Sequence, residues 1–268
     1  MLTLLKDSIR PLYHFVSSKT YREYCYLFSK YATAPRNRLA AVRFLDFTIT
    51  APDVVSFIYQ YKEIFLDESY RFQTENNSPV IYDCGANIGI SCLFFKRMYP
   101  DCHIKAFEAD PEIFNTLKGN LERNGATSGV TLVNKAVWID NAGVDFARDG
   151  ADGGSVRHGI NHVRIGSVRL KELLLEAGHI DLLKLDIEGA EMEVLTDCDG
   201  SFAGVERIFF EYHAFAGRPQ DLDRLLKVVQ DNGFRYVIHA MKSPKAPFMQ
   251  KLPKEGMDLQ LNIYCTRP

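Results

Sequence analysis

From residue 80 onward the chain alternates short apolar runs with stretches whose apolar residues recur every three to four positions. The short runs predict strands at 80–84, 103–107, 130–134, 181–186, 206–212, 234–239 and 260–266. The longer stretches predict helices at 88–98, 111–123, 169–177, 190–196 and 219–231. Local punctuation agrees: Pro100 stops one helix, Asp110 stands as N-cap before Pro111, and Gly178 closes another. Such alternation predicts an α/β fold with a mainly parallel sheet of seven strands covered on both faces. A long loop, with no helix in it, separates the last two strands, so the final one is expected to insert antiparallel.

Residues 1–78 have another texture, rich in Tyr and Phe with mixed charges. They read as helices over 3–32 and near 51–66, the second opened by Pro52-Asp53. This gives an N-terminal helical cap, 1–78, and a main domain, 79–268, joined by the polar loop at Glu75-Asn76-Asn77-Ser78-Pro79. Between residues 138 and 170 the rhythm breaks into two short exposed strands, Val144-Asp145-Phe146-Ala147 and His162-Val163-Arg164-Ile165. The glycine-dense segment 149–155 between them is placed to close over a substrate.

Candidate chemistry sits at the predicted strand ends. The first strand runs into Asp83-Cys84-Gly85-Ala86-Asn87-Ile88-Gly89, and the second ends in Glu108, where Rossmann-like units hold ribose hydroxyls. The loop has neither G-x-G-x-x-G spacing nor a phosphate loop, and Asp83 would repel a pyrophosphate. A nucleoside ligand with positive charge and no phosphate fits better, and S-adenosylmethionine is such a ligand. Asp83, Gly85, Asn87 and Gly89 are then expected at its methionine end and Glu108 at its ribose. Position alone puts Asn134, Ala136 and Val137 by the adenine.

The fourth strand carries Lys184, Asp186 and Glu188 at alternate positions, with Lys184 and Asp186 either a structural ion pair or part of a catalytic set. Glu191 reads as dipole complementation in a first helical turn. On the fifth strand Glu211 and His213 stand two residues apart, so a carboxylate can orient a histidine suited to proton abstraction. Asp186, Glu211 and His213 would make an oxygen–nitrogen metal site if they converged, but no close cluster in the sequence calls for a metal.

A formal charge of −2 advertises no nucleic-acid surface. No run of about 18 apolar residues suggests a membrane span. Six scattered cysteines without a C-x-x-C pair fit reduced, mostly buried thiols in a cytoplasmic protein.

The motifs DCGANIGIS, the acid at Glu108, KLDIEGAE at 184–191 and FFEYH at 209–213 together resemble the FkbM family of methyltransferases, over about residues 78–240. The resemblance implies a class I S-adenosylmethionine-dependent fold with the seventh strand antiparallel, and O-methyl transfer to a hydroxyl of a carbohydrate or small-molecule natural product. In that setting His213 is the expected base, Glu211 its orienting partner, and Lys184 and Asp186 position acceptor or base. The alternatives are an NAD(P)-dependent oxidoreductase and a catalytically silent cofactor-fold domain that binds a partner.

Overall fold

The computed structural model describes residues 13–147, 162–241, 247–249 and 256–268. Its centre is a seven-stranded sheet made of β3 (Val80–Cys84), β4 (His103–Phe107), β5 (Val130–Val133), β10 (Leu182–Leu185), β11 (Arg207–Phe215), β12 (Arg235–Ala240) and β13 (Met257–Thr266). The spatial order is β12-β13-β11-β10-β3-β4-β5. β13 lies antiparallel between β11 and β12. The order reverses between β3 and β10, and at such a switch point an open α/β sheet leaves a crevice beyond its strand ends.

Helices cover both faces. α3 (Ile90–Met98) and α4 (Pro111–Arg123) pack on one side with the N-terminal region. α5 (Leu170–Ala177), α6 (Glu191–Asp197) and α7 (Leu222–Asp231) pack on the other. At the start of α4 the Asp110 carboxylate accepts from the amides of Glu112 and Ile113, satisfying donors that have no partner inside the helix. The small pairs β6 (Ala136–Trp138) with β9 (Ser167–Arg169), and β7 (Val144–Ala147) with β8 (His162–Ile165), fill the stretch between β5 and α5. The glycine-dense segment 149–155, expected as a lid, lies outside the described residues, as do residues 3–12 of the first predicted helix.

The N-terminal region is not purely helical. α1 (Lys19–Tyr31) and α2 (Val54–Tyr61) flank a hairpin of β1 (Ala40–Phe44) and β2 (Phe47–Ala51), and α2 runs on through a π-helical turn, Lys62–Leu66. The hairpin buries Val42, Phe44, Ile49 and Ala51, the alternate positions of two five-residue strands. Its edge is closed by α4: Asn120 Nδ2 donates to the Thr50 carbonyl and Asn120 Oδ1 accepts from the Thr50 amide, while Asn124 makes the same pair of bonds with Thr48. Two asparagines thus do for β2 what a neighbouring strand would do. Phe44, Phe57 and Phe65 share one apolar cluster with Phe94 and Ile104 of the main domain, so this region rests directly on the sheet's helical layer.

All four residues of β10 are buried, including Lys184. Of the cysteines, Cys25 is half-buried and the other five are buried, all of them free thiols. Among the described residues no helix is long and apolar enough to cross a membrane.

Candidate active site

A cavity of about 680 Å³ opens at the switch point. One end is lined by Gly85, Asn87, Glu108, Ala109, Ile113, Lys135, Ala136 and Val137, at the ends of β3 and β4 and after β5. The other end is lined by Lys184, Asp186, Glu188 and Glu211, with Gln260 of β13 and Glu63 and Tyr70 of the N-terminal region.

At the first end Glu108 is fixed by backbone. Its Oε2 accepts from the Asn87 amide at 2.9 Å and its Oε1 from the Asp110 amide at 2.9 Å. Burial still pushes its carboxyl up to about 7, against these two bonds. Asn87 itself sits at φ 47, a left-handed conformation that a non-glycine residue adopts at some cost and asparagine more readily than most.

Gly85 has φ +87, and a Cβ there would lie 1.8 Å from the Asp186 carbonyl oxygen, so glycine lets the loops after β3 and β10 touch. Gly89 has a different reason. Its added Cβ would meet Leu117 of α4 at 2.6 Å, which makes it a packing glycine, and it does not line the cavity.

Three more expected site residues also stand behind the cavity wall. Asp83 is fully buried, paired with Lys184 at 3.1 Å and accepting from the Ser91 hydroxyl at 2.5 Å. Its charge is therefore spent inside the protein and does not face a ligand. Asn134 turns back to donate to the carbonyls of Glu108 and Ala109, fixing the β4–β5 turns; Ala136 and Val137 do reach the cavity.

His213 lies beneath the floor. Its Nε2 is 3.0 Å from Glu211 and 3.7 Å from Glu188, and its Nδ1 is 3.3 Å from Glu191. Burial favours the neutral ring, but the three carboxylates outweigh it and hold the pKa well above the usual histidine value. His213 is buried and does not line the cavity, so it reaches the cavity only through Glu211 and Glu188.

Lys184 is likewise held charged. Burial alone would lower its pKa, but Asp83 and Asp186 raise it above the usual lysine range. The ammonium donates to the Gly85 carbonyl at 2.9 Å and stands 3.6 Å from Asp186. The pairing with Asp83 is closer than the expected one with Asp186, because the parallel register sets Lys184 beside Asp83 on neighbouring strands.

The carboxylates that face the cavity behave differently. Burial pushes Glu211 up, with Asp186 adding to the shift and His213 opposing it. Burial raises Glu188 well above the ordinary range, Asp186 adding to it. Burial also lifts Glu63 to about 7, helped by Glu211 and Asp186. Register explains how the last strand serves this end: Asn262 pairs with Glu211 and Gln260 with His213 across β11 and β13. Gln260 donates to Glu211 at 2.9 Å and Asn262 to Glu63 at 2.7 Å. Sequence reasoning missed Glu63, Tyr70 and Gln260. The one available signal was Gln260 and Asn262, polar residues at alternate positions of an otherwise apolar strand.

S-adenosylmethionine fits this cavity on the structure's own features. A carboxylate lies at the end of β4, and the loop 85–89 bears no basic side chain for a phosphate.

The comparisons with known proteins agree. The family model described as the methyltransferase FkbM domain matches residues 83–236, more than half of the chain. Methyltransferase sdnD of Sordaria araneosa is 32% identical over 212 residues, covering 65% of this chain and 80% of that protein. The 31-O-demethyl-FK506 methyltransferase FkbM of Streptomyces tacrolimicus is 26% identical, covering 67% of this chain and 82% of that one. In structure, a SAM-dependent methyltransferase from Agrobacterium tumefaciens superposes with a TM-score of 0.53 at 8% identity, covering 88% of this chain and 72% of that one, a likeness of fold. The chain belongs to the FkbM family of S-adenosylmethionine-dependent methyltransferases.

Proposed function

We propose that the protein transfers a methyl group to a hydroxyl oxygen of a carbohydrate or a hydroxylated small molecule, in the carboxylate-lined end of the cavity. The observation that carries this reading is the continuity of one cavity, from Glu108 at a ribose position to Asp186, Glu188 and Glu211. Two relatives whose names specify oxygen acceptors support it: the FK506 enzyme and the 2-O-methyltransferase NoeI of Sinorhizobium fredii, 28% identical over 160 residues. The N-terminal region would form the acceptor's far wall, since Tyr59, Gln60, Glu63 and Tyr70 also line the cavity.

The cofactor supplies a methyl group on an activated sulfonium, which leaves alignment and deprotonation to the protein. Glu211 takes the hydroxyl proton. It faces the cavity, burial raises its pKa above the ordinary carboxylate value, and Gln260 and His213 hold its orientation. His213 is a positioning residue behind it, and Lys184, locked to Asp83, holds Asp186. Positioned bases contribute about 10²–10⁴-fold.

The experiment is transfer of labelled methyl from S-adenosylmethionine to a panel of sugars and polyhydroxylated natural products. Label should appear as an alkali-stable methyl ether, and Glu211→Gln should lower kcat about a hundredfold with cofactor affinity nearly unchanged. Label on nitrogen or carbon would refute oxygen transfer. Full turnover by Glu211→Gln would remove that residue as the base.

A further inference from the structure

We propose that Asp186, Glu211 and His213 form a binding site for one divalent cation of the Mg²⁺ and Mn²⁺ kind, at the carboxylate-lined end of the cavity. One ligand atom from each residue lies within 4.8 Å of the others. A cation with ligands at about 2.1 Å sets neighbouring ligand atoms about 3.0 Å apart and opposite ones about 4.2 Å. The Glu211 Oε2 to His213 Nε2 distance, 3.0 Å, is that of neighbouring ligands.

The surroundings add what a ligating imidazole requires. Metal-bound histidines usually present their second nitrogen to a carboxylate, which fixes ring and tautomer. His213 Nδ1 faces Glu191 Oε1 at 3.3 Å, and that same oxygen is anchored by the Ile187 amide at 3.0 Å. Glu191 is thus a positioning residue for His213, beyond the ordinary role of an acid in a first helical turn. Nε2 is left to point at Glu211, 3.0 Å away, and at Glu188, 3.7 Å away.

A second observation is independent of the histidine. Asp186 Oδ1 is buried and has no hydrogen-bond donor, although its residue lines the cavity. A buried carboxylate oxygen without a donor is costly, and a cation would satisfy it. The nearby ammonium is already engaged, since Lys184 pairs with Asp83 at 3.1 Å and donates to the Gly85 carbonyl.

The donor set names the metal class. Two carboxylates and one imidazole, with cavity on the open side, suit a hard divalent ion that keeps positions for water or an acceptor oxygen. A soft-metal site would need thiolates, and none stands in this set. Binding would take the place of the proton on Nε2, since a ligating imidazole is neutral.

The test uses the full chain, stripped with a chelator and titrated with Mn²⁺ alone. Loss of the free-ion paramagnetic resonance signal should count one Mn²⁺ per chain, and Mg²⁺ should displace it. Asp186→Asn and His213→Gln should each weaken uptake by more than about tenfold, and Glu191→Gln by about 10–100-fold. Modulation from a directly bound imidazole nitrogen should be present in the wild type and absent in His213→Gln. Calorimetry with S-adenosylmethionine reports folding of each variant. If His213→Gln does not fold, Asp186→Asn carries the test, because that side chain is 26% exposed at the cavity. No uptake at millimolar Mn²⁺, or uptake unchanged in Asp186→Asn, overturns the proposal. The titration contains neither cofactor nor acceptor, so its failure leaves the methyl-transfer reading untouched, and the reverse holds too.

Discussion

Glu108 and Glu211 are both buried carboxylates facing one cavity, yet they are held in different ways. Two backbone amides, from Asn87 and Asp110, clasp Glu108, and both belong to the turns that follow β3 and β4. Side chains support Glu211: Gln260 from β13, His213 from its own strand, and through His213 the Glu191 carboxylate of α6. The setting of Glu108 is therefore a property of strand–turn–helix geometry. At the acceptor end, Asp186, Glu188, Glu211 and Glu63 meet with their mutual repulsion opposed by His213 and Lys184.

The largest expected effect tests the ion pair between the two ends. Lys184→Met would leave Asp83 buried without its cation, and breaking one partner of a buried pair costs about 3–5 kcal/mol. Chemical denaturation should show that loss, and Asp83→Asn in the same chain should recover much of it. A fully stable Lys184→Met would mean the pair is not what joins β3 to β10. Glu108→Ala comes next. Charge-assisted bonds to ribose hydroxyls contribute about 1.5–3 kcal/mol each, so S-adenosylmethionine affinity should fall more than about tenfold in calorimetry. Turnover at saturating cofactor should change far less, in contrast with Glu211→Gln. If both substitutions acted on affinity alone, the division into two ends would fail.

The smallest effect is a pH dependence of cofactor binding. In the proposed site, ribose hydroxyls would donate to the ionised form of Glu108, whose carboxyl is pushed up to about 7. Affinity should therefore rise with pH through that value and level off above it, by at most about tenfold between roughly pH 6 and 8. Glu108→Gln should flatten the curve. A rise that survives that substitution would assign the titration elsewhere.

Legibility in the sequence follows the same division. The strand–turn–helix run DCGANIGIS, the acid at Glu108 and the alternation after residue 80 lie in contiguous stretches, and backbone geometry turns each into its final form locally. Where partners come from afar, local reading went astray. Asp83 looked like a ligand for positive charge, but the cation it meets is Lys184 on the next strand in space, a hundred residues later in sequence. His213 looked like a base because its neighbour in sequence is Glu211; the added carboxylates of Glu188 and Glu191 arrive only when the loop after β10 folds against β11. The hairpin 40–51 falls between the two predicted helices, and its outer edge is completed by Asn120 and Asn124 of α4, distant in sequence.

By itself, then, the sequence determined the sheet, its antiparallel last strand, the glycine-turn at Gly85 and the acid at Glu108, because hydrophobic period and turn chemistry act over a few residues. Only the tertiary structure decided which charges cancel and which face the cavity. Glu63, Lys184, Glu191, Glu211, His213 and Gln260 come from five elements, and their pairing depends on distances of about 3–4 Å that no local pattern encodes.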